Sequence, residues 1–328
     1  MHPLLSDSQK PVIMPAFFIN TWKQSTTLEI FFIVLFHFMT GSIILLIFGV
    51  FCGSTAVLMI KATALNPVLL SALRQLGAAV LLLPFYLRDY RKQKNPSFRT
   101  LIKPSILPGL FLGIHFILWI IGARLTLAAN STLIVNLLPV VMPFFLYLLK
   151  KENVTGREIV GTIIAMSGVT FLITQDFSLG PETFLGDILC FVSMLFYALY
   201  LALAKRNSRN FSIWLYIVPL YFIGGMLCLV ITLFIPGAYS RMSGMDLLMV
   251  VLLIIIPTVG GHTILNHSMR VIRGQLVALL NLGQFIFAAI LAYYFFREVP
   301  DYYFYIATVL IILGAGTVIL QKHQASTQ

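Results

Sequence analysis

Charge is what this sequence has least of. Only 10% of its 328 residues are Asp, Glu, Lys or Arg, while 59% are apolar; a soluble domain carries about 25% charged residues. A soluble fold of this size could not hide so much apolar surface, so the composition predicts an integral membrane protein. Cysteine is nearly absent too. Cys52, Cys190 and Cys228 all fall inside apolar runs, which argues against a disulfide framework and for packing roles. The motifs of the common enzymes are missing: there is no GxxxxGK phosphate loop, HExxH zinc pair, GxSxG elbow or CxxC. The six histidines are scattered, without ligand spacing to cysteine or acid. No enzyme activity, cofactor or metal is therefore expected. Nor is nucleic acid a partner, despite the net charge of +11, because the basic residues sit in short loops between apolar runs.

What is present is a series of long apolar runs. A helix needs about 20 apolar residues to cross a bilayer, and ten runs qualify: 42–61, 67–87, 104–123, 129–149, 157–174, 185–204, 212–235, 246–267, 275–296 and 302–320. The stretch from Ile30 to Ile60 exceeds one span, and the break His37-Phe38-Met39-Thr40-Gly41-Ser42 could separate an interfacial helix from the first. The loops alternate in charge. Lys10, Lys23, Arg88, Arg91, Lys92, Lys94, Arg99, Lys103, Lys150, Lys151, Arg157, Lys205, Arg206, Arg209, Arg270, Arg273 and Lys322 fall on one side. Lys61, Arg124, Arg241 and Arg297 fall on the other, with the acidic loop of Asp176, Glu182 and Asp187. The positive-inside rule then predicts both termini in the cytoplasm of a multi-pass plasma (bacterial inner) membrane protein.

Sliding the chain by 146 residues brings Arg124 onto Arg270, Glu152 onto Glu298 and Gly168 onto Gly314, with SGVTFLI facing LGAGTVI. A five-helix unit used twice is implied. Five is odd, so the second copy enters the membrane inverted, an architecture of transporters with a midplane site. The expected fold is all-α, ten transmembrane helices in two inverted five-helix repeats. The expected divisions are an N-terminal segment 1–41, repeats 42–174 and 185–321, an external loop 175–184 and a tail 322–328.

Several stretches resemble one family. FCGSTAVLMIK (Phe51–Lys61) is close to a Trp/Phe-x-Gly-Ser pattern followed by a basic residue, and NPVLLSALRQLGAAVLLLP (Asn66–Pro84) sets Pro67, Arg74 and Pro84 in matching places. NLLPVV…LLKKE (Asn136–Glu152), Gly161, Gly168 and Gly186-Asp187 continue the match over about residues 42–320. The chain thus resembles the drug/metabolite transporter superfamily, of the ten-helix EamA type. Phe285 stands where the second repeat usually has proline, and Gln284 replaces a common glutamate. The resemblance implies transport of small metabolites, often amino acid export, through a cavity formed by spans 1, 3, 4, 6, 8 and 9.

Side chains able to bind a polar substrate fall on those spans. His262 and Asn266, in GGHTILNHSMR, are four apart and share a helix face. His115 and Trp119 share another, and Asn136, Tyr197, Asn281 and Gln284 lie on spans 4, 6 and 9. Each would cost several kcal/mol unpaired in hydrocarbon, so they face one another as interhelical ties or line a wet cavity. The set is expected to bind substrate, with Ser54 beside a close helix approach. Arg74 lies seven residues into span 2, either as a structural tether to helix-end carbonyls or as an anion-binding group. Glu152 and Glu298, at span exits, suit capping or gating.

The function so expected is a secondary transporter moving a small polar metabolite, by export or exchange, through a central cavity by alternating access. The alternative is a non-transporting sensor or assembly factor that keeps the fold. The partners are the lipid bilayer and the metabolite, and the protein is a monomer or homodimer. All eleven acids lie in loops, tails or span ends, so no mid-membrane carboxylate is available for a proton relay. Facilitated transport or exchange driven by the substrate gradient is expected.

Overall fold

The computed structural model describes residues 27–93, 97–149, 152–173, 180–207, 212–239, 242–297 and 302–325. Glu298, the Lys150-Lys151 pair and residues 175–179 of the 175–184 loop lie outside them. The chain divides into two compact units, Met1–Ile44 and Leu45–Gln328, and the site described below lies in the second.

Every regular element among the described residues is helical. In order they are α1 (Thr27–Ser54), α2 (Ala56–Lys61), α3 (Pro67–Tyr90), α4 (Phe98–Leu125), α5 (Ala128–Val135), α6 (Leu138–Leu148) and α7 (Gly156–Ile173). There follow α8 (Gly180–Asn207), α9 (Ile213–Leu233), α10 (Gly244–Leu253), a π-helical run (Ile254–Thr263), α11 (Ile264–Val271), α12 (Gly274–Leu282), α13 (Gln284–Phe296) and α14 (Tyr302–Ala325). Nine helical stretches among the described residues are long and apolar enough to cross a membrane. The remaining expected span, 157–174, is α7. It is helical but only 18 residues long, with Arg157 and Glu158 in its first turn, so its apolar part is short.

Four expected spans are not simple α-helices, the first being interrupted at Thr55. The fourth breaks at Asn136-Leu137 and the ninth at Gly283, while the eighth widens into the π run around Pro257. In the opposite direction, α1 is continuous through His37–Ser42, so the expected break there is absent. Local chemistry sets several helix starts. Asn66 accepts from the Val68 and Leu69 amides ahead of Pro67 at the first turn, and Ser243 forms a reciprocal capping box with Asp246.

The helices pack in antiparallel pairs, as rising residue numbers meeting falling ones show. Phe85 stacks on Trp214 at 4.9 Å and Gln75 reaches Cys228, joining α3 to α9. Gly161 lies against the Gly314 carbonyl and Gly168 against that of Ala307, where an added Cβ would sit 2.5 and 3.0 Å away. This joins α7 to α14 at backbone distance, as small residues allow. Asn136 meets Asn281, and Pro139 meets Gln275, across α5–α6 and α12–α13. His115 meets Ser193, and Gly122 meets Gly186, across α4 and α8. Gly53 meets Gly261 between α1 and the π run.

The distribution of polarity is that of a membrane bundle. Phe144, Tyr147, Ile163, Phe184 and Ile312 are exposed, whereas Arg74, Gln75, Ser193, Asn266 and Gln275 are buried. Polar groups gather inside because lipid offers them no hydrogen bonds.

Candidate functional site

At the centre of the bundle is a cavity of about 20 Å3, room for roughly one water. Six of the helical stretches supply its wall: Gly49, Gly53 and Ala56 from α1–α2, His115 and Trp119 from α4, and Val135 and Asn136 at the α5–α6 break. Tyr197 comes from α8, Gly261, His262 and Leu265 from the π run and α11, and Asn281 and Gln284 flank the Gly283 break. The two breaks place three amides here. Asn281 Nδ2 donates to Asn136 Oδ1 (2.6 Å) and to the Tyr197 hydroxyl (3.3 Å), and Gln284 Nε2 donates to Asn281 Oδ1 (2.7 Å). Asn136 Nδ2 donates to the Thr132 carbonyl at 2.7 Å. Gln284 also lies against Gly53, where a Cβ would come within 2.9 Å of its amide nitrogen. In this conformation the amides tie four helical stretches together.

The two histidines differ in what they can offer. Ser193 Oγ donates to the His115 carbonyl (2.9 Å), so its oxygen accepts from His115 Nδ1 (2.8 Å). In the neutral ring the hydrogen is then on Nδ1, leaving Nε2 an acceptor. Tyr200 accepts from Asn266 Nδ2 (3.1 Å), so its own proton goes to His262 Nδ1 (3.1 Å). The hydrogen of His262 is then on Nε2, a donor. The rings lie 6.2 Å apart. One acceptor and one donor thus stand side by side, with His115 stacked on Tyr197 (4.6 Å) and Trp119 (6.0 Å).

Seven of the nine expected substrate-binding residues line this cavity: His115, Trp119, Asn136, Tyr197, His262, Asn281 and Gln284. Asn266 is fully buried behind it, bonded to Tyr200 and to the His262 carbonyl (2.8 Å). Ser54 turns away and donates to the Phe51 carbonyl of its own helix (2.6 Å). Arg74 reaches no helix-end carbonyl. Its Nε donates to Thr258 Oγ1 (3.1 Å) in the π run, and its guanidinium lies 3.9 Å over the Phe116 ring. The residue that does tether helix ends is Arg124, which donates to the carbonyls of Leu65 (2.6 Å), Thr63 (2.9 Å) and Ile60 (3.4 Å).

Both ends of the bundle are tied shut. At one end Lys61 donates to the Thr126 carbonyl (2.7 Å), Thr126 Oγ1 to Asp187 (2.7 Å), and Thr63 Oγ1 and the Ala64 amide to Asp246. At the other, Glu152 accepts from the Gly274 amide at the start of α12 (2.7 Å) and pairs with Lys205 (3.0 Å). There Arg273 grips Glu158 through Nε (2.6 Å) and Nη2 (2.7 Å), a hydrogen bond that raises the guanidinium pKa. Lys205 also donates to the Ile272 carbonyl. Sequence reasoning counted Lys205, Arg273 and Glu158 only as loop charges. The signal for them was position, since each sits at a helix end where a partner helix also ends. Gly49 and Gly53 read in sequence as a close-packing GxxxG, and they are also cavity wall.

A bundle of apolar helices closed around a small polar cavity, tied at both ends, is the build of a membrane transporter. The chain belongs to the EamA-like transporter family, whose model matches residues 39–174 and again 184–320. It therefore falls within the drug/metabolite transporter superfamily. It is 24% identical over 275 residues to solute carrier family 35 member G1 of Mus musculus, covering 78% of this chain and 72% of that one. It is 28% identical over 96 residues to the uncharacterized transporter YyaM of Bacillus subtilis (strain 168), 28% of this chain and 32% of that protein. A solved crystal structure superposes with a TM-score of 0.70 over 86% of this chain and 98% of its own, at 18% identity. That likeness speaks for the fold.

Proposed function

We propose that this protein is a secondary transporter that moves a small polar metabolite, an amino acid or related compound, through the central cavity by alternating access. One observation carries the reading: His115, Trp119, Asn136, Tyr197, His262, Asn281 and Gln284 converge on a single cavity from five otherwise apolar stretches. A cavity of about 20 Å3 does not admit a metabolite, so helices have to part for substrate to enter.

The architecture behind the cycle is ten spans, α7 included, in inverted repeats 42–174 and 185–321. The packing supports it. Shifting by 146 residues turns the Gly161–Gly314 contact into Ala307–Gly168, itself a contact. Partners exchange roles this way across a two-fold axis. The same shift carries the break at Asn136-Leu137 onto Leu282-Gly283. The loop charges assign the Glu152–Lys205 end to the cytoplasm, with both termini, in a bacterial inner membrane. The partners are lipid and metabolite, and the protein works as a monomer or homodimer. With the described acids at helix ends and both histidines usable as neutral ligands, transport is exchange down the substrate gradient.

Counterflow of a labelled metabolite pool into proteoliposomes tests the reading. The wild type exchanges at least one small polar compound. His262→Gln and Asn266→Ala each slow it about tenfold, the worth of one hydrogen bond of roughly 1.4 kcal/mol. Uptake driven uphill by a proton gradient, and lost in His262→Gln while exchange survives, would make His262 a proton carrier instead. Folded protein that exchanges nothing would favour the sensor reading.

A further inference from the structure

The polar groups around the cavity divide into two sets. The amides, Tyr197, Tyr200 and the histidines bond one another or the backbone. A second set has no hydrogen-bond partner among the described residues. Beside the cavity these are the nitrogen donors Arg74 Nη1, Arg74 Nη2 and Trp119 Nε1 and the acceptor Asn266 Oδ1. Elsewhere they are the acceptors Gln75 Oε1 and Gln275 Oε1 and the hydroxyls of Tyr216, Ser268 and Thr308. Arg74 is completely buried. Its only described hydrogen bond, to Thr258, uses Nε and leaves the outer fork of the guanidinium unused. Among the described residues no carboxylate pairs with it, and the described ion pairs all lie at helix ends. Trp119 lines the cavity, and the Arg74 guanidinium carbon lies 6.0 Å from its ring centroid. Phe116 takes the guanidinium on its face and meets His262 edge-on at 5.0 Å, so it stands between the charge and the cavity.

A buried cation in a membrane needs an opposite charge, and here no described residue supplies one. Three unused donors beside a cavity call for an acceptor rather than another donor. A guanidinium fork fits two oxygens of one group at once. We propose that Arg74, assisted by Trp119, binds the anionic oxygen group, a carboxylate or a phosphate, of the molecule this protein carries. The proposal rests on the transport reading and narrows its substrate to anions and zwitterions. Reaching the fork requires Phe116 to move aside. Because Arg74 also holds Thr258, an arriving anion would pull on the π run that carries His262.

Two measurements on the full-length purified protein test this. Tryptophan fluorescence is titrated with acetate, succinate, inorganic phosphate and glycerol 3-phosphate, with uncharged succinamide as the control. Carboxylates and phosphates are read separately, which identifies the group. At least one anion is expected to give a saturable change that is absent in Trp119→Phe and weakened at least about tenfold in Arg74→Gln. Arg74→Lys keeps the charge without the fork and should be intermediate; it also serves should the glutamine variant not fold. No saturable change with any anion, or the same change with succinamide, would overturn the proposal. The second measurement is counterflow of labelled succinate, glycerol 3-phosphate, glucose and putrescine. Anion exchange lost in Arg74→Gln supports the proposal, and exchange confined to glucose or putrescine overturns it while leaving the transport reading intact. Anion binding without any exchange would refute transport and leave the site standing.

Discussion

The two ends of the bundle are closed by different chemistry. At the Glu152 end, charge meets charge as well as backbone. Lys205 pairs with Glu152 at 3.0 Å with both side chains nearly buried and also donates to the Ile272 carbonyl. Arg273 holds Glu158 with two bonds and donates to the Asn153 carbonyl. At the Arg124 end, charge meets backbone and hydroxyl. Arg124 binds three carbonyls, Lys61 binds the Thr126 carbonyl, and Asp187 and Asp246 accept from threonines. Buried ion pairs join side chains from separate helices, whereas ties from charged side chains to carbonyls occur at both ends. The comparison teaches that side-chain ion pairing is what sets the Glu152 end apart from the Arg124 end.

Three substitutions can break or sharpen that contrast. The largest effect is expected at the ion-paired end. Lys205→Ala leaves Glu152 buried without its ammonium, and losing one partner of such a pair costs about 3–5 kcal/mol. Thermal unfolding in detergent should show a marked drop, partly reversed in the Lys205→Ala/Glu152→Gln double variant. Additive losses would show that the two side chains are not coupled. Next, Arg124→Gln should cost about 2 kcal/mol through lost charged hydrogen bonds to carbonyls. Among the described residues no acid is within ion-pair distance of it, and Asp246 acts on it only through space; rescue by a second-site change at Asp246 would blur the contrast. Smallest is Thr126→Val, which removes one hydroxyl from Asp187 and should cost about 1 kcal/mol. A loss matching that of Lys205→Ala would mean that both ends are closed by the same kind of tie.

The apolar runs made the helices legible, since in a bilayer length and hydropathy decide existence almost alone. They could not show where a helix breaks. Asn136-Leu137, Gly283 and the π run all lie inside stretches whose length and mean hydropathy read as single spans. Pro139, Gly283 and Pro257 mark them locally, and tertiary packing of polar side chains against facing helices selects them. His262 and Asn266 were readable as one face, yet the face has two jobs: His262 looks into the cavity and Asn266 braces Tyr200 behind it. Telling these apart takes the third residue, sixty positions away in sequence. Arg74 stood out as a charge in an apolar run. That its fork is unused, while the carbonyl-tethering role falls to Arg124, is a matter of which side chains surround each, and no spacing rule carries that.

The tightness of the closed cavity bears on what passes when nothing is being carried. With space for roughly one water, the chamber cannot hold a continuous water column from one face of the membrane to the other. In this conformation no file of waters along which protons could hop runs through the cavity.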